Sequence, residues 1–345
     1  RSAGSVTPAI ASAASGDGDG DAACVMGLLG DDEPQASARH ASATQLLGMF
    51  GVVPCYPPSV QVHLFDGTYE LFRAWFGAPP AQHNGREVGA ARTVLRSLAG
   101  LLASGKVTHA GVAYDHVIES FRNDLFPGYK TGEGVPEQLF AQFELAERAA
   151  ASLGLLVWPM VEFEADDAIG TAAARNAADP TVDKVVIAAV DKDMCQCVIG
   201  QRVVCWDRWK DVTLDEAGVI AKHGVSPESI PDLLALVGDT ADGIPGLAGW
   251  GKSSAAKVLT VWKHIDAIPD DPAAWNVPGL RGIDRLALSL REARAEAKLY
   301  RTLATLRVDC PIPCDVEAMR WRGPDRPALD AMCIELGLER SVIRL

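Results

Sequence analysis

The sequence predicts an α/β protein, a central and mostly parallel sheet flanked by helices, continued by a mainly helical second half. Short apolar runs at 60–65, 107–114, 155–159 and 185–190 read as buried strands. Helix-like stretches at about 90–103, 136–153 and 165–177 separate them, the alternation expected of a parallel sheet. After about residue 225 strand signals fade and helical ones take over at 228–237, 253–262 and 286–306.

Each part can be justified in chain order. Residues 1–56 are rich in Ala, Ser, Gly and Asp, with the run Gly16-Asp-Gly-Asp-Gly-Asp21 and no sustained period, so a disordered extension is expected. Its acids Asp17, Asp19, Asp21, Asp31, Asp32 and Glu33 against Arg1 and Arg39 argue against a transit peptide. Residues 57–225 are expected to form the α/β domain and 226–345 the helical one. Charged residues make up 22% of the chain and no run is apolar enough to span a bilayer, which excludes a membrane protein of helical type. Cys195-Gln-Cys197 and Cys310-Pro-Ile-Pro-Cys314 lack the partner spacing of a zinc site and read as reduced thiols of an intracellular protein.

Carboxylates gather where the predicted strands end. Asp66 ends the first strand, Asp115 the second, and Asp191 and Asp193 follow a further one. Glu164, Asp166 and Asp167 open a helix, and Asp239 and Asp242 close another. Ligands of parallel sheets gather at strand C-termini. Taken singly, each acid has a structural explanation: Asp-Gly-Thr makes turns, Asp-Lys-Asp can cap a helix, and Glu-Ala-Asp-Asp offsets a helix dipole. Taken together they repel, by roughly 4 kcal/mol per pair 4 Å apart at an effective dielectric of 20. Nine such groups imply hard divalent cations, Mg²⁺ or Mn²⁺, because the ligands are all oxygen. Two ions roughly 3.5–4 Å apart could activate water and stabilise a leaving oxygen.

These blocks, in this order, resemble the 5′-nuclease family that includes phage flap endonucleases and the amino-terminal nuclease domain of bacterial DNA polymerase I. The resemblance rests on Phe65-Asp-Gly-Thr-Tyr-Glu-Leu-Phe-Arg-Ala74, Phe121-Arg-Asn-Asp-Leu-Phe-Pro-Gly-Tyr-Lys130, Glu164-Ala-Asp-Asp-Ala-Ile-Gly170, Asp191-Lys-Asp-Met194 and Gly238-Asp-Thr-Ala-Asp-Gly-Ile-Pro-Gly246. It implies a PIN-like nuclease core, a helical arch and a helix-three-turn-helix element. It implies that Asp66, Asp115, Glu164 and Asp166 surround a first metal. Asp191, Asp193, Asp239 and Asp242 surround a second, with Asp167 between or behind them. Arg122 and Lys130 fall on arch positions that face phosphate, with Lys130 near the scissile group and Tyr129 offering a stacking surface. Lys130 is followed by Thr-Gly-Glu-Gly134 where many relatives continue with another basic residue, a departure within the arch.

Ile244-Pro-Gly-Leu-Ala-Gly-Trp-Gly-Lys-Ser-Ser-Ala-Ala256 resembles the family's element for gripping duplex DNA. There Gly246, Gly249 and Gly251 would let backbone approach phosphate, Ser253 would sit at the following helix N-terminus, and Lys252 and Lys257 would add charge. Arg73 joins this DNA-binding set, and K⁺ between loop and phosphate is a further implication. The net charge of −13 opposes nucleic-acid binding when taken alone, but metal-neutralised acids and a local basic set reconcile it. Such contacts read DNA shape rather than sequence.

The expectation is therefore a structure-specific 5′-3′ exonuclease or flap endonuclease acting in replication and repair on DNA with 5′ single-stranded ends or flaps, RNA–DNA primers included. A monomer in the cytoplasm, at the nucleoid, is expected, free-standing because Leu345 ends the chain before any polymerase. The alternatives are a PIN-type ribonuclease and a non-catalytic protein that binds branched DNA. A phosphatase with an aspartyl nucleophile is disfavoured, since Asp66-Gly-Thr lacks a second aspartate two residues on.

Overall fold

The computed structural model describes residues 60–189 and 191–345. The expectation of a disordered 1–56 lies outside these residues, as does Val190, the last residue of the fourth expected strand.

The chain opens with β1 (Val60–Asp66) and α1 (Gly67–Gly77), followed by a small hairpin of β2 (Gln82–His83) and β3 (Arg86–Glu87). Then come α2 (Gly89–Ala103), β4 (His109–Asp115), the short helices α3 (Phe121–Leu125) and α4 (Glu137–Phe140), α5 (Phe143–Ser152) and β5 (Leu156–Met160). Next are α6 (Ala165–Ala178), β6 (Val182–Ala188), a 3₁₀ turn Asp193–Cys197, β7 (Val203–Asp207) and β8 (Val212–Leu214). The helical remainder comprises α7 (Glu216–His223), α8 (Ile230–Val237), α9 (Lys252–Trp262), α10 (Ile283–Glu292), α11 (Arg294–Ala304), α12 (Val316–Met319) and α13 (Arg326–Glu335).

The sheet runs β5-β4-β1-β6-β7-β8, parallel throughout except for the antiparallel edge strand β8. Strand order reverses around β1: the chain first builds outward to β4 and β5, then crosses back to β6 on the other side. The crevice outside the strand C-termini at such a reversal is where α/β sheets bind ligands. Both sheet faces are covered, so β1 and β4 are buried at consecutive positions, 62–65 and 110–114, and read as continuous apolar runs rather than alternating ones. Alternation survives in the direction of burial. Val62 and Leu64 point into a core shared with α6, α8 and α11, and Phe65 points into a second core under α1, α2, α5 and α13.

Two long helices expected from the sequence divide. The expected helix over 136–153 breaks into α4 and α5 at Ala141 and Gln142, where the buried Gln142 side chain accepts from Ala91 N at 3.0 Å. The expected helix over 286–306 breaks at Ala293 between α10 and α11. The β7–β8 ribbon and α1 are additions that the apolar pattern did not reveal. Gly67 begins α1 rather than sitting in a free turn, and a Cβ there would lie 2.3 Å from the Tyr114 ring. Among the described residues no helix is long and apolar enough to cross a membrane.

Candidate metal centre and nucleic-acid interface

Parallel pairing of β1 with β4, in which Asp66 stands opposite Ala113, delivers Asp66 and Asp115 to one sheet edge. Local hydrogen bonds fix them there. Asp66 caps α1 by accepting from Tyr69 N at 2.8 Å, and Asp115 N donates to Thr68 Oγ1 at 2.8 Å. Asp115 Oδ1 accepts from Ala165 N at 2.8 Å, which ties the start of α6, and so Asp166, to the end of β4.

The helical half reaches the same edge. The loop after α8 closes on itself, with Asp239 N donating to Ile244 O at 2.8 Å and Ile244 N to Asp239 O at 2.7 Å. It docks on the segment leading to Lys130, whose N donates to Asp242 O at 3.0 Å. As a result, carboxylate oxygens of Asp193, Asp239 and Asp242 lie within 4.8 Å of one another. Asp193 Oδ1 is buried without a hydrogen-bond partner among the described residues. A buried carboxylate oxygen left unsatisfied is costly, and a coordinated cation removes that cost. Acid-only donors and this orphaned oxygen fit a hard divalent metal.

The electrostatics agree. Burial, with the charges of Asp115, Asp191 and Glu70 added, pushes Asp66 up to about 7. Burial likewise raises Asp166 and Asp193 well above the carboxylate range, with Asp66 and Asp191 acting on the first and Asp191, Asp242 and Asp239 on the second. Asp115 and Asp239 are raised too, mainly by burial. Without a cation, part of this group holds protons at neutral pH.

Other expected members are placed differently. Arg122, expected to face phosphate, is buried at 1% exposure. Its five N–H donors are spent on Asp167 (2.7 and 2.7 Å), Glu164 (2.9 Å), Leu303 O (2.8 Å) and Thr305 O (3.0 Å), which makes it an internal strut. Asp167, expected among the metal ligands, uses both oxygens on Arg122 and also accepts from Glu164 N and Arg307 N. The cause is helical phase: consecutive residues on α6 point about 100° apart, so Asp166 faces the sheet edge while Asp167 faces inward. Tyr129, expected to offer a stacking face, is buried at 5% exposure.

Glu164 stands between these groups. It accepts from Ser120 Oγ at 2.7 Å, Arg122 Nη1 at 2.9 Å and Lys130 Nζ at 2.6 Å. Against the upward push of burial, Lys130 and Arg122 hold it down at about 2. With both oxygens paired in this way, it also orients Lys130 at the edge of the carboxylate group. Lys130 also bridges to Asp242 at 3.2 Å. Although burial opposes it, Asp242 and Glu164 keep the Lys130 ammonium charged. Lys192 is a basic neighbour that the motifs did not single out. Its Nζ lies 2.7 Å from Asp239, and its place inside Asp191-Lys-Asp193 was the available signal.

The glycine-rich loop leads into α9. Gly246 and Gly249 adopt φ of 72° and 81°. At Gly246 the expected reason changes: a Cβ would meet Gly238 N and the Val237 carbonyl carbon, each at 2.5 Å, so this glycine serves the loop's own packing. Gly251 does face open space, at the N-cap of α9, next to exposed Lys252 and Ser253. The amides of Lys252, Ser253 and Ser254 have no intrahelical acceptor ahead of them. Lys252 Nζ contacts Lys222 O at 3.2 Å and Lys257 Nζ contacts Gly279 O at 2.8 Å, so both keep their charge unneutralised. Arg285, missed from sequence because it lies 36 residues beyond Gly249, brings its guanidinium to 3.6 Å from where a Gly249 Cβ would be. Arg73 is exposed on α1 and stacks 4.0 Å over the Trp209 ring.

Comparison with known proteins gives a consistent family. The 5′-3′ exonuclease N-terminal resolvase-like domain matches residues 61–224, and the 5′-3′ exonuclease C-terminal SAM fold matches residues 225–327. DNA polymerase I of Pseudomonas aeruginosa is 34% identical over 284 residues, covering 79% of this chain. The chain spans 30% of the length of that relative. A structure of T5 5′-exonuclease with bound divalent metal ions (zinc) superposes with a TM-score of 0.56 at 19% identity, covering 83% of this chain and 100% of that one. The catalytic core of Rad2 in complex with DNA substrate gives 0.53 at 12% identity, covering 83% and 90%. At these identities the two structures establish a shared fold.

Proposed function

Because the chain belongs to the 5′-3′ exonuclease family, we propose that it is a metal-dependent nuclease hydrolysing DNA phosphodiesters at 5′ ends and flaps. The observation that carries this reading is the group of buried carboxylates at one sheet edge, with pKa values raised by burial and one oxygen left without a partner.

Asp66, Asp115 and Asp166 would hold one divalent cation, and Asp191, Asp193, Asp239 and Asp242 a second. When bound, Mg²⁺ or Mn²⁺ supplies a water of lowered pKa and offsets charge on the phosphate and the leaving oxygen. The residues of the chain do the rest. Lys130, charged and oriented by Glu164, is a hydrogen-bond donor at the mouth of the acidic group, where it stabilises negative charge developing on phosphate. Arg122 and Asp167 hold Glu164 in place from behind. Lys192 neutralises Asp239 on the other flank.

Duplex DNA is gripped by the loop at Gly249 and Gly251, by the first amides of α9 and by Lys252, Lys257 and Arg285, contacts that position phosphate and carry no base information. A K⁺ ion between that loop and phosphate belongs to the same reading. The likeness of the fold to T5 5′-exonuclease and to Rad2 bound to DNA supports it. Removal of flaps or RNA–DNA primers in replication and repair follows as the role, with the protein acting as a monomer. The test is cleavage of a 5′-labelled flap duplex with Mg²⁺ and with EDTA, beside single-stranded DNA, RNA and p-nitrophenyl phosphate. Short 5′ products from the flap, dependent on Mg²⁺, are expected. A flap that is bound yet uncut with Mg²⁺ present would replace this reading with a non-catalytic one.

A further inference from the structure

The sheet carries a second concave site, set back from the acids. Strand pairing sets His63 of β1 beside Val186 of β6, Val186 beside Val204 of β7, and Trp206 of β7 beside Thr213 of β8, so these side chains share one face. Over β1, β4 and β5 that face is closed by the core under α1, α2, α5 and α13. Over β6, β7 and β8 it opens into a cavity of about 450 Å³, within the roughly 300–1,000 Å³ of small-molecule sites. Gln61 at its rim precedes Asp66 on β1 by roughly 16 Å of strand, so the cavity is separate from the acidic group.

Floor and rim differ in chemistry. The floor is apolar and aromatic: Val186 and Val204 are buried, and the half-buried Trp206 meets the His63 ring edge-on, 6.5 Å between centroids at 71°. His63 is itself 6% exposed, and its Nδ1 has no hydrogen-bond partner among the described residues. Burial, working against a contact with the Gln61 backbone, pushes this histidine down to about 4, so the ring is neutral, one nitrogen a donor and the other an acceptor. A buried polar nitrogen without a partner is costly, and a ligand bearing donors and acceptors removes that cost. The rim carries Lys106 and Lys184. Neither makes an ion pair among the described residues and no acid borders the cavity, although the chain carries −13 overall.

We infer that this cavity binds a nucleoside monophosphate, its base lying over Val186 and Val204 against His63 and Trp206 and its phosphate held by Lys106 and Lys184. Each part of such a ligand answers one feature of the cavity. The planar ring suits a flat apolar floor with an aromatic wall, its ring nitrogens and exocyclic groups offer His63 Nδ1 a partner, and the phosphate suits two unneutralised ammonium groups. An aromatic carboxylate matches floor and rim but gives His63 nothing, and inorganic phosphate matches the rim alone. The inference goes beyond the proposed cleavage and does not rest on it, since neither metal nor acidic group takes part.

The experiment is isothermal titration calorimetry of the full chain in EDTA, with 5′-dAMP and 5′-dTMP as nucleotides and deoxyadenosine, benzoate and inorganic phosphate as separate partial probes. One nucleotide per chain is expected, with each partial probe at least about tenfold weaker because it lacks one set of contacts. Replacing Lys106 and Lys184 together by Gln should weaken the nucleotide about tenfold, the scale of two exposed charge contacts, and leave deoxyadenosine unchanged. Asp193→Ala, which alters the acidic group alone, should bind the nucleotide as the parent does. Binding of neither nucleotide, benzoate or phosphate bound as tightly as the nucleotide, or undiminished affinity in the double lysine variant overturns the inference. Loss of binding in Asp193→Ala places the nucleotide at the acids and overturns it too. Failure of Mg²⁺-dependent flap cleavage, measured separately, bears on the functional reading alone.

Discussion

Lys130 and Arg122 carry the same charge and touch the same carboxylate, yet they have different physical tasks. Lys130 reaches Glu164 from the mouth of the group and keeps about a quarter of its side chain exposed, whereas buried Arg122 has every donor spent on a partner within the protein. Removing Arg122 strands Asp167 and part of Glu164 without compensation. Arg122→Ala is therefore expected to lose about 3–5 kcal/mol of stability, measured by urea denaturation. Lys130→Ala leaves Glu164 with Ser120 and Arg122, so its midpoint should move little, while kcat on a flap substrate falls by about 10²–10³ with KM nearly unchanged. Equal loss of stability in both variants would refute this division of labour.

Elements set which glycines serve the loop and which serve a ligand. Gly246 has positive φ and backbone packed against its open face, while Gly251 caps α9 in open space. Gly246→Ala is expected to destabilise the chain by more than about 1–2 kcal/mol, the cost of left-handed backbone alone, because the clash adds to it. Gly251→Ala should leave the thermal midpoint within a degree or two of the parent, on the order of a few tenths of a kcal/mol, while weakening binding to duplex DNA. Calorimetry and fluorescence anisotropy on the same two variants separate these effects, and reversed outcomes would remove Gly251 from the interface.

Across the whole molecule, the net charge opposes the proposed DNA binding, and the buried acids couple stability to pH. The chain carries −13 overall, so its affinity for phosphate depends on a small exposed basic set on and beside α9. Replacing Lys252 and Lys257 together by Ala should flatten the slope of log affinity against log salt by about 2, near one unit per phosphate contact. An unchanged slope would place DNA elsewhere. The acids make stability depend on pH. Asp66 titrates at 3.8 in an unstructured chain and at about 7 here, so the folded state holds more protons between those values. Stability of the metal-free protein is then highest below about pH 4 for this group and is lost as pH rises through about 7, at about 1.4 kcal/mol per pH unit between the two values. Glu164 runs the other way, its contribution present above its ordinary range and lost only as pH falls through about 2. Scanning calorimetry should show a midpoint falling from pH 4 to pH 8 in EDTA, and stabilisation by Mg²⁺ growing over the same interval. A metal effect independent of pH would contradict the assignment of these acids as ligands.

By itself the sequence determined the alternation of strands and helices, the delivery of acids to strand ends, and the family. These are local matters: apolar runs covered on both faces, carboxylates at or just beyond strand ends, and motif blocks in fixed order. Legibility stopped where position depends on contacts far along the chain. Whether Asp166 or Asp167 faces the sheet edge was decided by α6 docking on residues 303–307, which supply Arg122 and Asp167 with partners. Arg122 looked like a phosphate ligand until burial showed its donors spent, and Gly246 looked like a phosphate cradle until Val237 and Gly238 were found against it. Side-chain identity fixes what a group can bond to; only the packed chain fixes which bonds remain open, because burial removes water as the alternative partner.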